Sequence, residues 1–275
     1  MGMRKEQLTS FFLILSLALW LVGCGVSHRT ASGSGTPAID RIQQRGTVLI
    51  GTTGDYRPLS YRDPETGTYW GFDLDVAGEI SRQLNVTITY IPTSWPTLTA
   101  DVQNPGLFDF AIGGITITDA RKALMDMSEG YLGNGKTILC RKEDAAKYTG
   151  QEDLNHPEVR VMVNPGGLNE KFARENLPNC TLIFFDKNEE IPTQVAIGNA
   201  DVMITEITEA PWYVQNDSRL AAPLLDRPFT HGEIGVLMRR GQEDLLELIN
   251  ATIRQMKSDG TLQSLHEQYG LQFVY

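Results

Sequence analysis

Two carboxylates stand three residues apart in the stretch DVMITEITEAPW, where Glu206 and Glu209 follow an apolar run that predicts a strand ending at Ile204. In a partly dry cleft two such groups repel each other, so one of them keeps its proton at neutral pH. A carboxylic acid in that state can protonate a leaving group. If the segment turns helical after the strand, both side chains share one face. The alternative is a pair of solvated acids at a helix start, which the helix dipole favours.

Groups suited to binding a carboxylate occur in the stretches GGITITDARK and GNGKTILC. Arg121 offers a bidentate guanidinium, Thr116 offers a hydroxyl, and the paired glycines before them let a ligand approach the backbone. Lys136 adds a second positive charge. Each cation also has an ordinary interpretation, since arginines and lysines are mostly exposed to solvent. Together the two stretches predict a small-molecule carboxylate as the ligand.

The stretch VNPGGLNEKF has the form of a strand, a Gly-Gly turn and a helix. Backbone N–H groups at a helix start attract an anion, and the missing side chains at Gly166 and Gly167 allow it close. Asn164 and Asn169 are placed to hydrogen-bond the same group. Ordinary N-capping by Asn169 explains the pattern equally well.

Two aromatic residues follow predicted strands in the same way. Tyr56 lies in GTTGDYRPLSYRD and Trp95 lies in PTSWPTL. Aromatic rings at such positions either form flat walls for a planar ligand or cover the edge of the core.

These residues are positioned by an alternation of apolar strands and amphipathic helices that starts near Arg45. Such alternation is typical of parallel α/β sheets with crossover helices. The pattern pauses near residues 145–157 and then restarts, which predicts an α/β protein with two lobes. The first lobe is predicted over residues 38–135 together with 236–275, and the second over 136–235, including two hinge segments. Ligands of such proteins bind between the lobes, at the carboxyl ends of the strands.

Composition limits the classes of partner. The chain has 275 residues and a formal net charge of -10, and its lysines and arginines form no cluster. This argues against a nucleic-acid partner or an anionic lipid surface. The histidines are scattered and the spacing of Cys140 and Cys180 fits no metal pattern, so neither a metal nor a cofactor is expected. Those two cysteines either form a disulfide or remain free thiols.

The first residues predict export. A basic start precedes the apolar run Phe11–Val22, which ends in Leu-Val-Gly-Cys at Cys24. This pattern predicts a bacterial lipoprotein signal over residues 1–23, with Cys24 as the lipidated first residue of the mature chain. A single membrane helix is the alternative, but the run is shorter than the ~20 residues that a span needs. Residues 24–37, rich in Gly and Ser, predict a flexible tether that holds the folded part on the periplasmic or cell-surface side of the membrane.

Motifs along the folded part are similar to those of a known superfamily. Over residues 38–272, the stretches GFDLDVA, GGITITDAR and NADVMIT resemble the periplasmic amino-acid-binding proteins of ABC importers. The stretches TTGDYRPLSYRD, PTSWPTL, GKTILC, VNPGGLNEKFAREN and RPFTHGE resemble the cyclohexadienyl dehydratases, enzymes on the same fold. The resemblance implies a two-lobed type II binding-protein fold with the ligand cleft between the lobes. It also implies that prephenate loses water and carbon dioxide to give phenylpyruvate, and that arogenate gives phenylalanine likewise.

The same resemblance implies roles for individual residues. Glu209 matches the general acid of the dehydratases. The other matching positions are Arg121 and Thr116, which bind carboxylate, Lys136 and Asn164, which are polar cleft positions, and Tyr56 and Trp95, which are aromatic walls.

Four positions depart from the dehydratase pattern. Leu168 stands where the family has a threonine whose hydroxyl helps bind the ligand, and Glu206 stands where it usually has aspartate. Pro211 and Ile234 replace an arginine and a lysine. Lost positive charge counts against a dianionic substrate, whereas a lost hydroxyl costs only about 1 kcal/mol, roughly fivefold in affinity.

Two functions of different classes therefore remain from the sequence. The first is a lipid-anchored prephenate or arogenate dehydratase. The second is a non-catalytic solute-binding lipoprotein that delivers an amino acid to an ABC permease. In the second, Glu206 would pair with the α-ammonium of the ligand and Arg121 with its α-carboxylate.

Overall fold

Two five-stranded sheets organise residues 36–271, the part of the chain that this computed structural model describes. The predicted signal, Cys24 and nearly all of the predicted tether lie outside the described residues. No helix within residues 36–271 is long and apolar enough to cross a membrane.

The strands of the described part are short. They are β1 (Thr47–Thr52), β2 (Asp55–Tyr56), β3 (Ser60–Arg62), β4 (Tyr69–Trp70), β5 (Thr87–Pro92), β6 (Phe110–Ala111), β7 (Asp126–Met127), β8 (Leu132–Asn134), β9 (Lys136–Arg141), β10 (Arg160–Val163), β11 (Thr181–Phe184), β12 (Val202–Glu206), β13 (Leu220–Ala221), β14 (Gly232–Ile234) and β15 (Leu237–Met238).

Helices connect most of these strands. They are α1 (Ala38–Arg45), α2 (Phe72–Leu84), α3 (Leu98–Gln103), α4 (Asp119–Leu124), α5 (Leu168–Asn176), α6 (Ile191–Ala196), α7 (Ala210–Asn216), α8 (Glu243–Ser258) and α9 (Thr261–Tyr269), with 3₁₀ turns at Lys142–Lys147, Glu152–Leu154 and Asn188–Glu190.

Each lobe is built on one of the two sheets. The first lobe has the strand order β5-β1-β6-β15-β7, and the second lobe has the order β11-β10-β12-β9-β13. Strand β1 is parallel to β5 and β6, and β10 is parallel to β11 and β12. Strands β9 and β15 run antiparallel to their neighbours. The predicted two-lobed α/β fold is confirmed, and both sheets combine parallel strands with antiparallel ones.

The antiparallel strands follow from how the chain changes lobes. Strand β9 is the one with which the chain enters the second sheet, and β15 is the one with which it returns to the first. The parallel strands run towards the cleft, whereas these two run away from it. The return segment is divided into β14, which pairs with β8, and β15, which pairs with β6 and β7.

The second sheet is buried on both faces, as its apolar runs predict. Val202 and Ile204 of β12 pack in one core cluster, while Met203 between them packs in another on the opposite face. Residues of a strand alternate between faces, so a fully apolar run requires cover on both sides. The polar residue Glu206 ends this run at the edge of the sheet.

The cysteines are not joined. Cys140 is buried, Cys180 is half-buried, and both are free thiols. Of the two interpretations that the sequence allows, the structure therefore has the free thiols.

One buried carboxylate fixes the loop that carries Thr116. The backbone N–H of Gly114 donates a 2.5 Å hydrogen bond to Asp73 Oδ2 at the start of α2. Gly114 has a φ of 74°, and a Cβ atom there would collide with the ring of Tyr56. Because Gly114 has no side chain, the ring of Tyr56 can pack directly against its backbone.

Gly114→Ala is expected to destabilise the protein more than the matched change Gly260→Ala. Both glycines have positive φ values, but nothing lies within 4 Å of a Cβ atom at Gly260. The control should cost about 1–2 kcal/mol for the left-handed conformation alone. The clash with Tyr56 should add about 1–3 kcal/mol. Denaturant unfolding of both variants measures the difference, and equal losses would contradict the steric explanation.

Candidate functional site

A cavity lies where residues of both lobes meet. Every residue that the sequence predicts to bind the ligand lines it. The lining residues are Tyr56, Trp95, Gly114, Thr116, Arg121, Lys136, Asn164, Gly167, Leu168, Asn169, Asn188 and Glu206.

Glu209 and Asn188 differ from the sequence-based expectations. Glu209 is fully buried and does not line the cavity. Asn188 lines the cavity but was not predicted from the sequence. Its position shortly after strand β11 could have identified it, because the other residues of the cavity were predicted from their positions after strands.

An ion pair between Lys136 and Glu206 forms part of the cavity wall. Lys136 is the first residue of β9 and Glu206 the last residue of β12, and the antiparallel register sets them directly opposite each other. Both side chains are less than a tenth exposed, at 8% and 6%. Lys136 Nζ also donates to Asn169 Oδ1 at 2.6 Å.

Further donors surround the carboxylate of Glu206. The hydroxyl of Tyr56 donates to its Oε2 atom, and the hydroxyl of Thr116 donates to Oε1 at 3.4 Å. Burial raises the pKa of Glu206, but the charge and hydrogen bond of Lys136 together with the Tyr56 hydroxyl outweigh it and hold the pKa below its ordinary value. Glu206 is therefore ionised at neutral pH.

Arg121 is the cation of the lining that has no carboxylate partner among the described residues. Its Nη1 atom donates to the backbone carbonyl of Thr116 at 2.6 Å, and no ion pair with it is found within residues 36–271. Burial lowers the pKa of Arg121 to about 10, so the guanidinium stays charged at neutral pH. Its remaining N–H groups are suited to a carboxylate of the ligand.

Glu209 lies behind the lining among polar groups, and no ion pair with it is found within residues 36–271. The hydroxyl of Thr205 donates to its Oε2 atom at 2.5 Å, and Asn188 Nδ2 donates to Oε1 at 2.8 Å. The hydroxyl of Tyr213 is 3.3 Å from Oε1. Burial raises the pKa of Glu209 to about 8, and the nearby charge of Glu206 contributes to the rise. Glu209 therefore carries a proton at neutral pH.

The segment between the two glutamates is not helical, so their side chains do not share a helical face. Glu206 belongs to β12, and α7 begins only at Ala210. A turn joins them, in which the N–H of Glu209 donates to the carbonyl of Glu206 at 3.0 Å. Their environments differ because Glu206 lines the cavity, whereas Glu209 is enclosed by Thr205 and Asn188.

Tyr56 and Trp95 both line the cavity and both pack in or against the core, so the two interpretations of these aromatic residues apply together. Tyr56 and Trp95 pack edge to face, with ring centroids 6.0 Å apart. Tyr56 is buried at 3% exposure and yet lines the cavity. Trp95 Nε1 donates to Asp55 Oδ1 at 3.1 Å, and burial raises the pKa of Asp55 to about 6.

Hydrogen bonds within the protein already use polar groups at the Gly-Gly turn that were predicted to bind an anion. Helix α5 begins at Leu168 with Gly167 as its N-cap, so the alternative of N-capping by Asn169 is wrong. The N–H of Gly166 donates to Glu170 Oε2 at 2.7 Å and is not free for an anion. The side-chain oxygen of Asn169 is already bound by Lys136.

No metal-binding cluster occurs at this site. Within residues 36–271, no group of three or more His, Cys, Asp or Glu residues is arranged to hold a metal ion.

The family model of bacterial extracellular solute-binding proteins, family 3, matches residues 48–272. The chain belongs to this family. Among its relatives, the cyclohexadienyl dehydratase of Pseudomonas aeruginosa is 37% identical over 204 residues, which cover 74% of this chain and 75% of that protein.

Solved structures of the family are similar to the whole folded part. The crystal structure of the ancestral amino-acid-binding protein AncCDT-1, a precursor of cyclohexadienyl dehydratase, matches with a TM-score of 0.78 at 36% identity, covering 85% of this chain and 99% of that chain. An ancestral cyclohexadienyl dehydratase, AncCDT-3, is 48% identical with a TM-score of 0.53, covering 86% of this chain and 97% of that chain.

The departures from the dehydratase pattern fall into two groups in this solute-binding-family protein. Leu168 and Glu206 line the cavity, whereas Pro211 and Ile234 do not. Ile234 is fully buried in the core of the first lobe, and Pro211 lies in the first turn of α7. Leu168 is therefore the departure that changes the chemistry of the cavity wall most directly.

Glu209→Gln is expected to remove a pH-dependent loss of stability. The folded-state pKa of Glu209 is about 8, against an ordinary value of 4.5. A raised folded-state pKa gives a stabilisation that is present below pH 4.5 and is lost as the pH rises towards 8. Glutamine has the same shape and no such proton.

The Tm of Glu209→Gln relative to the wild type should therefore increase as the pH rises through this range. Thermal unfolding across the range measures it, with the exposed change Glu158→Gln as the control. A constant difference between Glu209→Gln and the wild type would contradict the raised pKa.

Proposed function

We propose that the protein is a dehydratase and decarboxylase that converts prephenate to phenylpyruvate, and arogenate to phenylalanine, by general-acid catalysis in the cleft between its lobes. The observation that carries the proposal is the contrast between two neighbouring carboxyl groups. Glu206 is ionised by its pairing with Lys136, while Glu209 is buried, has no ion-pair partner in the described part of the chain and keeps its proton. An acid that is protonated at neutral pH is what a departing hydroxyl requires.

The proposed step balances with one proton. The bond between the ring carbon and the hydroxyl oxygen breaks with its electron pair on oxygen, which takes the proton of Glu209 and leaves as water. The bond between the ring and its carboxylate breaks in turn, and its electrons complete the aromatic ring while carbon dioxide leaves. Phenylpyruvate keeps the side-chain carboxylate, and solvent returns a proton to Glu209. Aromatisation supplies the driving force.

The charges of the cavity suit this step. Arg121 provides a free guanidinium for one carboxylate, which we assign to the side-chain carboxylate that remains in the product. Lys136 is already neutralised by Glu206. A carboxylate that must leave as neutral carbon dioxide gains from an environment that does not stabilise its charge.

Glu209 is close to the cavity without lining it. Its carboxyl group accepts a hydrogen bond from Asn188, which lines the cavity. Enclosure of this kind keeps water away from the acid and strengthens its electrostatic interactions.

The similarity to the dehydratase of Pseudomonas aeruginosa supports the same assignment, as does the 48% identity with an ancestral cyclohexadienyl dehydratase. We further propose that the mature chain is anchored by a lipid at Cys24 and that its folded part lies outside the inner membrane, as in a family described as extracellular.

Purified protein is expected to convert prephenate to phenylpyruvate, and Glu209→Gln should lower the rate by about two to four decades because the acid is lost. The appearance of phenylpyruvate measured against time gives both rates. Glu158→Gln, an exposed change outside the cavity, should keep the wild-type rate. Full activity of Glu209→Gln would disprove the assignment of the acid.

The second candidate is a non-catalytic amino-acid-binding lipoprotein that serves an ABC permease. The similarity to the amino-acid-binding protein AncCDT-1 favours it. The pairing of Glu206 with Lys136 counts against it, because that carboxylate is then less available to the α-ammonium of an amino acid. Calorimetry against an amino-acid panel separates the two, since the second candidate requires tight binding with no turnover of prephenate.

Leu168→Thr is expected to lower the KM for prephenate about fivefold, the equivalent of one hydrogen bond of about 1 kcal/mol. The matched control is Leu168→Val, since valine has the shape of threonine and no hydroxyl. Steady-state kinetics of the two variants isolates the hydroxyl. Equal KM values would show that the departure at Leu168 has no effect on binding.

A further inference from the structure

Asn188 connects the cavity, the buried acid and the opposite lobe. It begins a 3₁₀ turn after strand β11 and is only 2% exposed. Its Nδ2 atom donates to the backbone carbonyl of Asp55 in the first lobe at 3.1 Å and to Glu209 Oε1 in the second lobe at 2.8 Å. Both N–H groups of the amide therefore have acceptors.

The other end of the amide has no partner. Asn188 Oδ1 is buried and accepts no hydrogen bond from the described residues, although the residue lines the cavity. A buried polar atom without a partner is costly, and at the lining of a cavity a ligand or an ordered water can supply the missing hydrogen bond.

The orientation of the amide follows from its neighbours. The carbonyl of Asp55 can only accept a hydrogen bond, so it requires Nδ2 on its side. Rotating the amide by half a turn would set two acceptor oxygens against each other. The carbonyl oxygen of Asn188 is therefore the atom left for the ligand, which must bring an O–H or N–H donor.

We propose that Asn188 is a further substrate-contacting residue, whose Oδ1 atom accepts a hydrogen bond from the ring hydroxyl that leaves, while its Nδ2 atom holds Glu209 beside that hydroxyl. This inference rests on the proposed dehydratase function. A hydroxyl that donates its hydrogen to Asn188 keeps its lone pairs for the proton of the acid. The α-ammonium of an amino acid is the other donor of this chemistry, but a carboxylate such as Glu206 suits it better than a neutral amide does.

Asn188 also affects how readily Glu209 gives up its proton. The groups that act on Glu209 include the carboxylates of Glu206 and Asp55 and the hydroxyls of Thr205 and Tyr213, and the charge of Arg57 acts on Tyr213 beside it. Tyr56 also lies within electrostatic reach of it. Burial raises the pKa of Glu209, and the hydrogen bond from Asn188 opposes the rise. Removing the amide should therefore raise this pKa further and weaken the acid.

The test compares Asn188→Leu, which has the same branched shape and no amide, with Glu190→Gln in the same turn. Glu190 is ion-paired with Lys187 and does not line the cavity, so this control should keep wild-type kinetics. Asn188→Leu should lower kcat for prephenate about tenfold to a hundredfold, because the leaving hydroxyl loses its partner and the acid is weakened. The upper limb of its pH–rate profile should move to higher pH.

Binding of the product distinguishes this role from a structural one. Phenylpyruvate lacks the ring hydroxyl, so its affinity, measured by calorimetry, should be the same for the wild type and Asn188→Leu. A parallel loss of phenylpyruvate affinity and kcat, or an unmoved pH limb, would overturn the inference. Asn188→Ala is the second variant, and it removes the amide without adding an apolar branch.

A further measurement distinguishes failure of this inference from failure of the proposed function. If the wild type does not turn over prephenate, the proposed function fails. L-Phenylalanine, which has an ammonium group and no ring hydroxyl, then serves as the calorimetric probe. Loss of its binding in Asn188→Leu would identify the ammonium as the donor and overturn the hydroxyl assignment, even in a protein that does turn over prephenate.

Discussion

The buried ion pair between Lys136 and Glu206 is the interaction around which the cleft is arranged. It arises because β9 starts at the edge of the second sheet at which β12 ends, so that the first residue of one strand faces the last residue of the other. The hydroxyls of Tyr56 and Thr116 in the first lobe reach across to the same carboxylate. Removing either charge would leave the other buried and unpaired, which is strongly destabilising.

This pair also sets the charge that a ligand meets. With Lys136 neutralised, Arg121 is the positive charge of the described lining that remains for a carboxylate. Burial, and after it the charge of Glu206, raises the pKa of Glu209, which forms no ion pair within residues 36–271. Two similar carboxyl groups thus differ in protonation because of their surroundings, and this difference is what would distinguish an enzyme from a binding protein on this fold.

The wall formed by Leu168 bears on which ligand fits. This side chain borders the central cavity and two neighbouring cavities, one towards His231 and one towards Leu124. An apolar branched side chain at that junction borders all three spaces and offers no hydrogen bond. Ligand shape at this point is therefore controlled by packing.

The sequence by itself determined the lobes and the residue types of the cleft. Continuous apolar runs define the strands, and the carboxyl ends of parallel strands converge, so polar residues that follow strands meet at one place. Arg121, Tyr56 and Asn164 could be found in this way. The antiparallel strands could not, because strand direction in a sheet depends on where the chain crosses between lobes.

Only the tertiary structure decided which acid keeps its proton. The pKa of Glu209 depends on burial and on groups such as Asp55 and Asn188 that are distant in sequence, and the pairing of Glu206 depends on the register of two strands. The same is true of Asn188, whose amide is oriented by a carbonyl from the other lobe. Local sequence fixes what a residue can do, whereas long-range packing fixes its solvent and its partners, and these set its chemistry.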